Sequence, residues 1–139
     1  MIDIRPVLLI VGIFIAAFSA VMLIPMAVDL YDGHPNWQAF GTAALVGGAT
    51  GVGMAAAAWG RIPSVSTRQG FLITTASWLA LVLTASLPRW LGTMDMSYTD
   101  AFFEAMSGLT TTGATVVTGL DDAPRGFLLW RSILQWIGG

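Results

Sequence analysis

The segment best suited to chemistry is an uncharged threonine run that ends in a glycine: Thr110, Thr111, Thr112 and Gly113. Backbone carbonyls that point into a water-filled cavity can replace the hydration shell of a monovalent cation. Gly113 allows backbone angles that turn a carbonyl to one side, and the threonine hydroxyls can hold such a loop from behind. The segment therefore predicts a cation site built from main-chain oxygens.

A short helix is predicted directly before this segment, over residues 99–109. Ser97 or Thr99 can cap its N-terminus. Asp100 and Glu104 lie in its early turns, where acidic side chains oppose the helix dipole. A helix of this length reaches about 16 Å, which is half of the roughly 30 Å hydrocarbon core of a bilayer.

Together the helix and the threonine run favour a re-entrant pore loop, in which the helix descends halfway and the chain returns in an extended form. Non-helical backbone at that depth is tolerated only where it is buried in protein or lines a water-filled cavity. The spacing alone is equally consistent with an interfacial helix followed by an external loop that is rich in threonine. Both interpretations stay open at this point.

The composition indicates a membrane protein. The chain has 139 residues, of which 55% are hydrophobic and 10% charged, with a net charge of −2 and no lysine. Soluble domains carry about 25% charged residues, and disordered chains are poor in apolar residues. A nucleic-acid binder needs a basic face, which six arginines in an acidic chain do not supply. Because there is no cysteine, thiolate metal sites and cysteine nucleophiles are excluded.

Three stretches without a charge are long enough for transmembrane helices, and a fourth apolar run begins at Phe127. They cover residues 7–28, 37–59 and 69–88. The first is longer than the apolar part of a secretory signal, so we interpret it as a membrane span that Pro25 bends near its end. We predict an all-α membrane protein with a leading hairpin (residues 1–60) and a helix–pore loop–helix repeat (residues 61–139) that is incomplete in its second helix.

The arginines predict the orientation, because cytoplasmic loops are enriched in basic residues. Arg5 precedes the first span, and Arg61 and Arg68 lie between the second and third, whereas residues 29–36 include acids and no arginine. We therefore expect a cytoplasmic N-terminus and a pore loop that enters from the outer face. Arg89 and Arg125 then lie on the outer side, against the rule.

The second span is rich in glycine. Gly47 and Gly51 form a small-xxx-small pair, which allows close approach of another helix. Residues 51–56 also match the dinucleotide-binding fingerprint, but that motif needs a preceding strand and a soluble βαβ unit. We interpret these glycines as a helix-packing surface.

The sequence of residues 100–115, DAFFEAMSGLTTTGAT, closely resembles the first pore loop of the Trk-type potassium uptake proteins, and the Trk-H branch is the most similar. Residues 126–139 resemble the start of the helix that follows this loop. The resemblance extends over the whole chain and is specific from about Asp100 onward.

The resemblance implies a potassium path surrounded by four helix–pore loop–helix repeats in the bacterial inner membrane. The selectivity filter of the first repeat then consists of Thr110, Thr111, Thr112 and Gly113, with backbone carbonyls as K+ ligands. A homodimer and a cytoplasmic nucleotide-binding regulatory ring are the implied partners, and K+ is the only implied ligand. The chain resembles the N-terminal part of such a transporter, with three repeats missing.

Several charged residues outside the filter need an interpretation. Arg131 lies inside the fourth apolar run, where it can pair with Glu104, but an arginine near a helix end commonly snorkels to the interface and we favour that role. Asp121 and Asp122 can concentrate cations at an outer mouth or form a polar turn before Pro124. The single histidine, in a loop, cannot build a metal site by itself.

Two other classes of function compete with potassium transport. One is a small helical membrane interaction module, built on the glycines of the second span, with a vestigial pore loop. The other is an intramembrane enzyme, which needs a nucleophile or paired acids at depth that this sequence does not offer. Three more Thr/Ser-Gly filter strands in the downstream coding region would decide for the transporter.

Overall fold

The computed structural model describes residues 4–60 and 65–139, which are helical and contain no strand. Three of its helical segments are long and apolar enough to cross a membrane. The elements are α1 (Arg5–Val21), α2 (Leu23–Tyr31), α3 (Trp37–Ala57), α4 (Thr67–Trp90), α5 (Tyr98–Leu109), a 3-10 helix (Leu120–Asp122) and α6 (Arg125–Gly138). The predicted all-α membrane architecture is confirmed; Arg61, which entered the orientation argument, lies outside the described residues.

The first span is one apolar rod, Arg5–Tyr31, interrupted between α1 and α2 at Met22. Pro25 has no N–H to donate to the carbonyl of Val21, and its ring crowds that carbonyl. At this point the Met22 amide donates to the carbonyl of Ser19, three residues back, at 3.2 Å, which is a tighter turn than that of the α-helix. The interruption is therefore the distortion that Pro25 predicts.

Helix α3 packs against α1 through glycine. A β-carbon on Gly51 would lie 2.5 Å from the backbone nitrogen of Ala16 and 2.6 Å from the carbonyl oxygen of Gly12. Gly47 lies in the same way against the side chain of Ser19. These residues are therefore a helix-packing surface, as predicted, and the formal dinucleotide fingerprint lies within a continuous helix.

A capping box begins α4 and so fixes where the third span starts. The Gln69 amide donates to Ser66 Oγ at 3.3 Å, and the Ser66 amide donates to Gln69 Oε1 at 2.8 Å. These bonds satisfy amides that a helix N-terminus leaves without intrahelical partners. The helix begins two residues earlier than the predicted span and continues through Pro88 to Trp90.

The core is centred on Trp130 of α6, which is fully buried. Its ring centroid lies 5.2 Å from that of Phe18 and 6.1 Å from that of Phe40. The indole N–H donates to the Ala85 carbonyl at 3.1 Å, which satisfies its polar group inside the core. Trp130 therefore joins α6 to α1, α3 and α4.

Asp29 of α2 binds the first turn of α6. Its carboxylate accepts the amide of Gly126 at 2.7 Å and the side-chain amide of Asn36 at 2.8 Å, and it is fully buried. Asn36 Oδ1 in turn accepts the Thr93 amide at 3.2 Å. The predicted loop over residues 29–36 begins too early, because α2 continues through Asp29, Leu30 and Tyr31.

Arg89 lies in the last turn of α4 and is 1% exposed, although the sequence placed it beyond the third span. Its guanidinium carbon lies 5.2 Å from the ring centroid of Phe127. None of its three guanidinium nitrogens has a hydrogen-bond partner among the described residues. The side chain thus has a cation–π contact with α6 and an electrostatic attraction to Glu104 of α5.

Candidate functional site

Helix α5 leads directly to the threonine run. Ser97 caps it by accepting the Asp100 amide at 3.1 Å and donating to the Asp100 carboxylate at 2.7 Å. The helix has 12 residues, so it spans about 18 Å. Gly108 lets α5 approach α6 closely, since a β-carbon there would lie 2.9 Å from Leu134 Cβ. The predicted short helix is confirmed, beginning one residue earlier than predicted, and of its two candidate caps the structure uses Ser97.

The chain leaves the helix at Thr110 and folds back over its C-terminal end. The Thr111 amide donates to the Gly108 carbonyl at 2.9 Å. The Thr112 and Gly113 amides both donate to the Ser107 carbonyl, at 3.0 and 3.3 Å. These bonds satisfy carbonyls that a helix C-terminus leaves free. The N–H groups of the threonine run are therefore engaged with α5.

The backbone φ angle of the threonine run alternates between negative and positive values. Thr110 has a φ of −85°, Thr111 of +57° and Gly113 of +74°, and Thr112 is not among the residues with positive φ. A β-branched residue at positive φ is an outlier that costs on the order of 1–3 kcal/mol. Thr111 therefore holds a conformation that the surrounding contacts must impose.

The threonine hydroxyls support the turn. Thr110 Oγ1 donates to the Met106 carbonyl at 2.8 Å and lies 2.9 Å from Thr112 Oγ1. Thr111 Oγ1 donates to the Thr110 carbonyl at 2.7 Å. The three threonines are exposed and Gly113 is half-buried. The expectation that hydroxyls hold the loop is confirmed for Thr110, which connects it to α5.

Glu104 joins α5 to the chain that returns from the threonine run. The residue is 1% exposed. Its Oε1 accepts the Thr115 hydroxyl at 2.6 Å and the Val116 amide at 2.8 Å. Its Oε2 accepts a hydrogen bond from Arg131 Nη1 at 2.7 Å.

Ser107, one turn further along α5, donates from Oγ to the Ala114 carbonyl at 2.6 Å. The extended segment is therefore fastened to α5 by side chains.

Arg131 contacts both the carboxylate and the loop. While Nη1 pairs with Glu104, Nη2 donates to the Gly113 carbonyl at 2.7 Å. The Arg131 side chain is 16% exposed and that of Glu104 is fully buried. The snorkelling interpretation of Arg131 is wrong, because a buried carboxylate and a main-chain carbonyl satisfy its guanidinium within the protein.

The other predicted residues lie apart from the run. Asp121 and Asp122 are exposed in the 3-10 helix Leu120–Asp122, in the polar turn that precedes Pro124. His34 lies between α2 and α3, where its Nδ1 accepts the Asn36 amide at 3.2 Å. Residues 4–60 and 65–139 contain no group of three or more side chains suited to holding a metal ion.

Two residues of the site's framework were missed by sequence reasoning. Asp29 continues the buried stripe of the first span at helical spacing from Phe18, Met22 and Pro25, and this periodicity was the available signal. No comparable signal marks Arg89, whose position depends on contact with α6.

Comparisons with known proteins fit this architecture. The family model described as "TrkH: Cation transport protein" matches residues 50–139. This chain belongs to the TrkH family. The Trk system potassium uptake protein TrkH of Halomonas elongata is 42% identical over 99% of this chain and 29% of its own length. The protein of the same name from Escherichia coli K12 is 38% identical over 97% of this chain and 28% of its own length.

The fold agrees with that of a solved TrkH-family structure. The crystal structure of the potassium transporter TrkH from Vibrio parahaemolyticus is similar with a TM-score of 0.91 and 38% sequence identity, over 99% of this chain and 30% of that one. The TrkH-family sequence described here thus spans less than a third of the length of these relatives.

Proposed function

We propose that this chain supplies the leading hairpin (residues 1–60) and the first helix–pore loop–helix repeat (residues 61–139) of a bacterial potassium uptake protein. In this proposal the backbone carbonyls of Thr110, Thr111, Thr112 and Gly113 are ligands of K+, which is the transported substrate. The role is transport rather than catalysis, and no cofactor takes part.

One observation carries the proposal: the threonine run is non-helical, and its N–H groups are bonded back onto α5. The Thr111, Thr112 and Gly113 amides all donate to carbonyls of Ser107 and Gly108. With these donors engaged, the carbonyls of Thr111 and Thr112 accept no hydrogen bond among the described residues, whereas that of Thr110 accepts Thr111 Oγ1 and that of Gly113 accepts Arg131 Nη2. That arrangement suits a cation and is unsuited to an anion, which needs N–H donors.

The alternating backbone hand supports the same assignment. In an extended strand, successive carbonyls point in opposite directions. Alternation between left-handed and right-handed residues instead turns successive carbonyls toward one side. Thr111 and Gly113 are left-handed, and Thr110 is not. A row of oxygens on one side can supply one quarter of a coordination cage.

The relatives support potassium as the substrate, since those from Halomonas elongata and Escherichia coli are named potassium uptake proteins. The basic residues Arg5 and Arg68 favour a cytoplasmic N-terminus in the inner membrane, with the loop entering from outside. A homodimer and a cytoplasmic nucleotide-binding ring are proposed from family resemblance.

Asp121 and Asp122 are proposed to attract cations toward the outer mouth. Both are exposed and follow the returning strand of the loop. Exposed charges act through a field that salt screens over about 8–10 Å. Their contribution should therefore appear in the rate of uptake at low ionic strength and fade as salt is added.

The test is expression of the complete coding region that contains this chain in a bacterium without potassium uptake. We expect the complete protein to restore growth at low external K+. We also expect its reading frame to encode three more Thr/Ser-Gly filter segments. A frame without further filter strands, together with no K+ uptake, would favour the small membrane interaction module instead.

A further inference from the structure

We propose that Glu104 and Arg131 are positioning residues that set the orientation of the Gly113 carbonyl, and with it the preference for K+ over Na+. The inference rests on the proposed function, because it concerns the same loop. Neither residue is a proposed K+ ligand. They act through the backbone of the strand that returns from the threonine run.

The carboxylate of Glu104 holds the segment that returns from the threonine run. Oε1 takes two donors from the strand, the hydroxyl of Thr115 and the amide of Val116. Oε2 takes Arg131 Nη1. A carboxylate shared in this way fixes the strand relative to both α5 and α6. Loss of that carboxylate removes the acceptor of all three donors.

Arg131 completes the link because its guanidinium is a planar fork. One nitrogen binds Glu104 and the other binds the Gly113 carbonyl, each at 2.7 Å. A lysine ammonium is a compact point charge on a flexible stem and does not reproduce this forked geometry. The geometry therefore depends on the shape of the side chain as well as on its charge.

Packing alone does not explain a buried ion pair at this position. Well-packed apolar residues of similar volume are often as stabilising as a buried ion pair, or more so. Here the pair contacts the loop at three residues, Gly113, Thr115 and Val116. The ion pair therefore fixes the position of residues 113–116, a segment that has no regular secondary structure.

The charges also have opposite effects on a nearby cation. The guanidinium lies on a carbonyl oxygen of the proposed filter, where an unbalanced positive charge repels K+ and Na+ alike. Glu104 offsets this charge and also attracts the nearby guanidinium of Arg89. Removal of Glu104 alone should therefore reduce uptake of both ions. Removal of Arg131 should free the Gly113 carbonyl and weaken discrimination between them.

The experiment measures Rb+ uptake and its competition by Na+ for the complete protein in cells, with protein amount determined by immunoblot. The variants are Arg131→Lys, Arg131→Gln and the double variant Glu104→Gln with Arg131→Gln. Arg125→Gln is the matched control, since Arg125 is largely exposed and lies 3.6 Å from Asp32. A charge-assisted hydrogen bond corresponds to about tenfold or more in an equilibrium.

We expect each of the three variants to lose about tenfold or more of the preference for K+, at unchanged protein amount, and the control to keep it. Wild-type preference in Arg131→Lys or Arg131→Gln would overturn the proposal. If the single variants do not accumulate, the neutral double variant is decisive: recovered protein with wild-type preference also overturns it.

Hydrogen exchange separates this proposal from the proposed function. The Val116 amide is bonded to Glu104, whereas the Asp100 amide is bonded to Ser97. In Arg131→Gln we expect faster exchange at Val116 and no change at Asp100. If the wild-type protein transports no K+ but Val116 responds, the proposed function fails and the positioning role stands. If Val116 does not respond, the positioning role fails.

Discussion

The guanidinium of Arg131 donates to the backbone carbonyl of Gly113 at 2.7 Å. This bond joins the middle of α6 to the end of the threonine run, 18 residues earlier in the chain. Because Asp29 caps the first turn of α6 and Trp130 packs in the core, the helix that carries Arg131 is itself fixed at two points. The loop therefore takes its geometry from the bundle around it.

The first prediction concerns the left-handed backbone of Gly113. Gly113→Ser should reduce the preference for K+ over Na+ more than it reduces stability. A β-carbon there meets only Gln135 Nε2, at 3.9 Å, so the strain is conformational and on the order of 1–2 kcal/mol. Ion competition in cells and thermal unfolding of the purified protein measure the two effects.

Gly119→Ser is the matched control. Gly119 has a φ of +75°, against +74° for Gly113, and a β-carbon there meets nothing within 4 Å. The two variants should lose similar stability, and only Gly113→Ser should change selectivity. Equal selectivity in both variants would remove Gly113 from the filter.

The second prediction concerns the α1–α3 contact. Gly51→Ala should lower the free energy of unfolding by about 1–3 kcal/mol, because its β-carbon would overlap the backbone of Ala16 and Gly12. Gly53→Ala, two residues away with nothing within 4 Å, should be neutral or stabilising by up to about 1 kcal/mol. Denaturation in detergent compares them. Equal stability of the two variants would contradict the close packing.

The third prediction concerns Arg89. Arg89→Met should leave the free energy of unfolding unchanged or raise it, because it removes a buried guanidinium whose nitrogens lack hydrogen-bond partners. The gain is offset by loss of the cation–π contact with Phe127, worth about 0.5–2 kcal/mol. Chemical denaturation measures the balance. A loss above about 3 kcal/mol would mean that the electrostatic attraction between Arg89 and Glu104 outweighs the cost of burying the guanidinium.

The fourth prediction is that the 139-residue chain in liposomes carries no K+ flux. Its α6 has 14 residues, about 21 Å, against a hydrocarbon core of about 30 Å. One threonine run offers carbonyls from one side, whereas potassium filters gather them from four loops. A K+-sensitive dye provides the measurement. A flux that Gly113→Ser abolishes would point instead to a ring of identical chains.

The helices could be predicted from the sequence because local signals define them. Uncharged length identifies the three spans, and Ser97 with Asp100 identifies the start of α5. The Gly47 and Gly51 pair likewise predicted close helix packing.

The buried charges could not be predicted, because their partners are distant in sequence. Arg131 and Glu104 are 27 residues apart, and Asp29 and Gly126 are 97 apart. Residue type alone favours the membrane interface for an arginine near a helix end and an exposed position for an aspartate beside a span. Only the packed bundle provides the acceptor or donor that reverses each preference.

The central claim is that the carbonyls of residues 110–113 hold K+, and the most direct measurement is anomalous diffraction from the complete protein with Tl+ in place of K+. We predict a Tl+ peak at coordination distance from these main-chain oxygens, which weakens when K+ competes and is lost in Gly113→Ser. A structure with Tl+ bound only at carboxylates such as Asp121 and Asp122, and none at residues 110–113, would contradict the account.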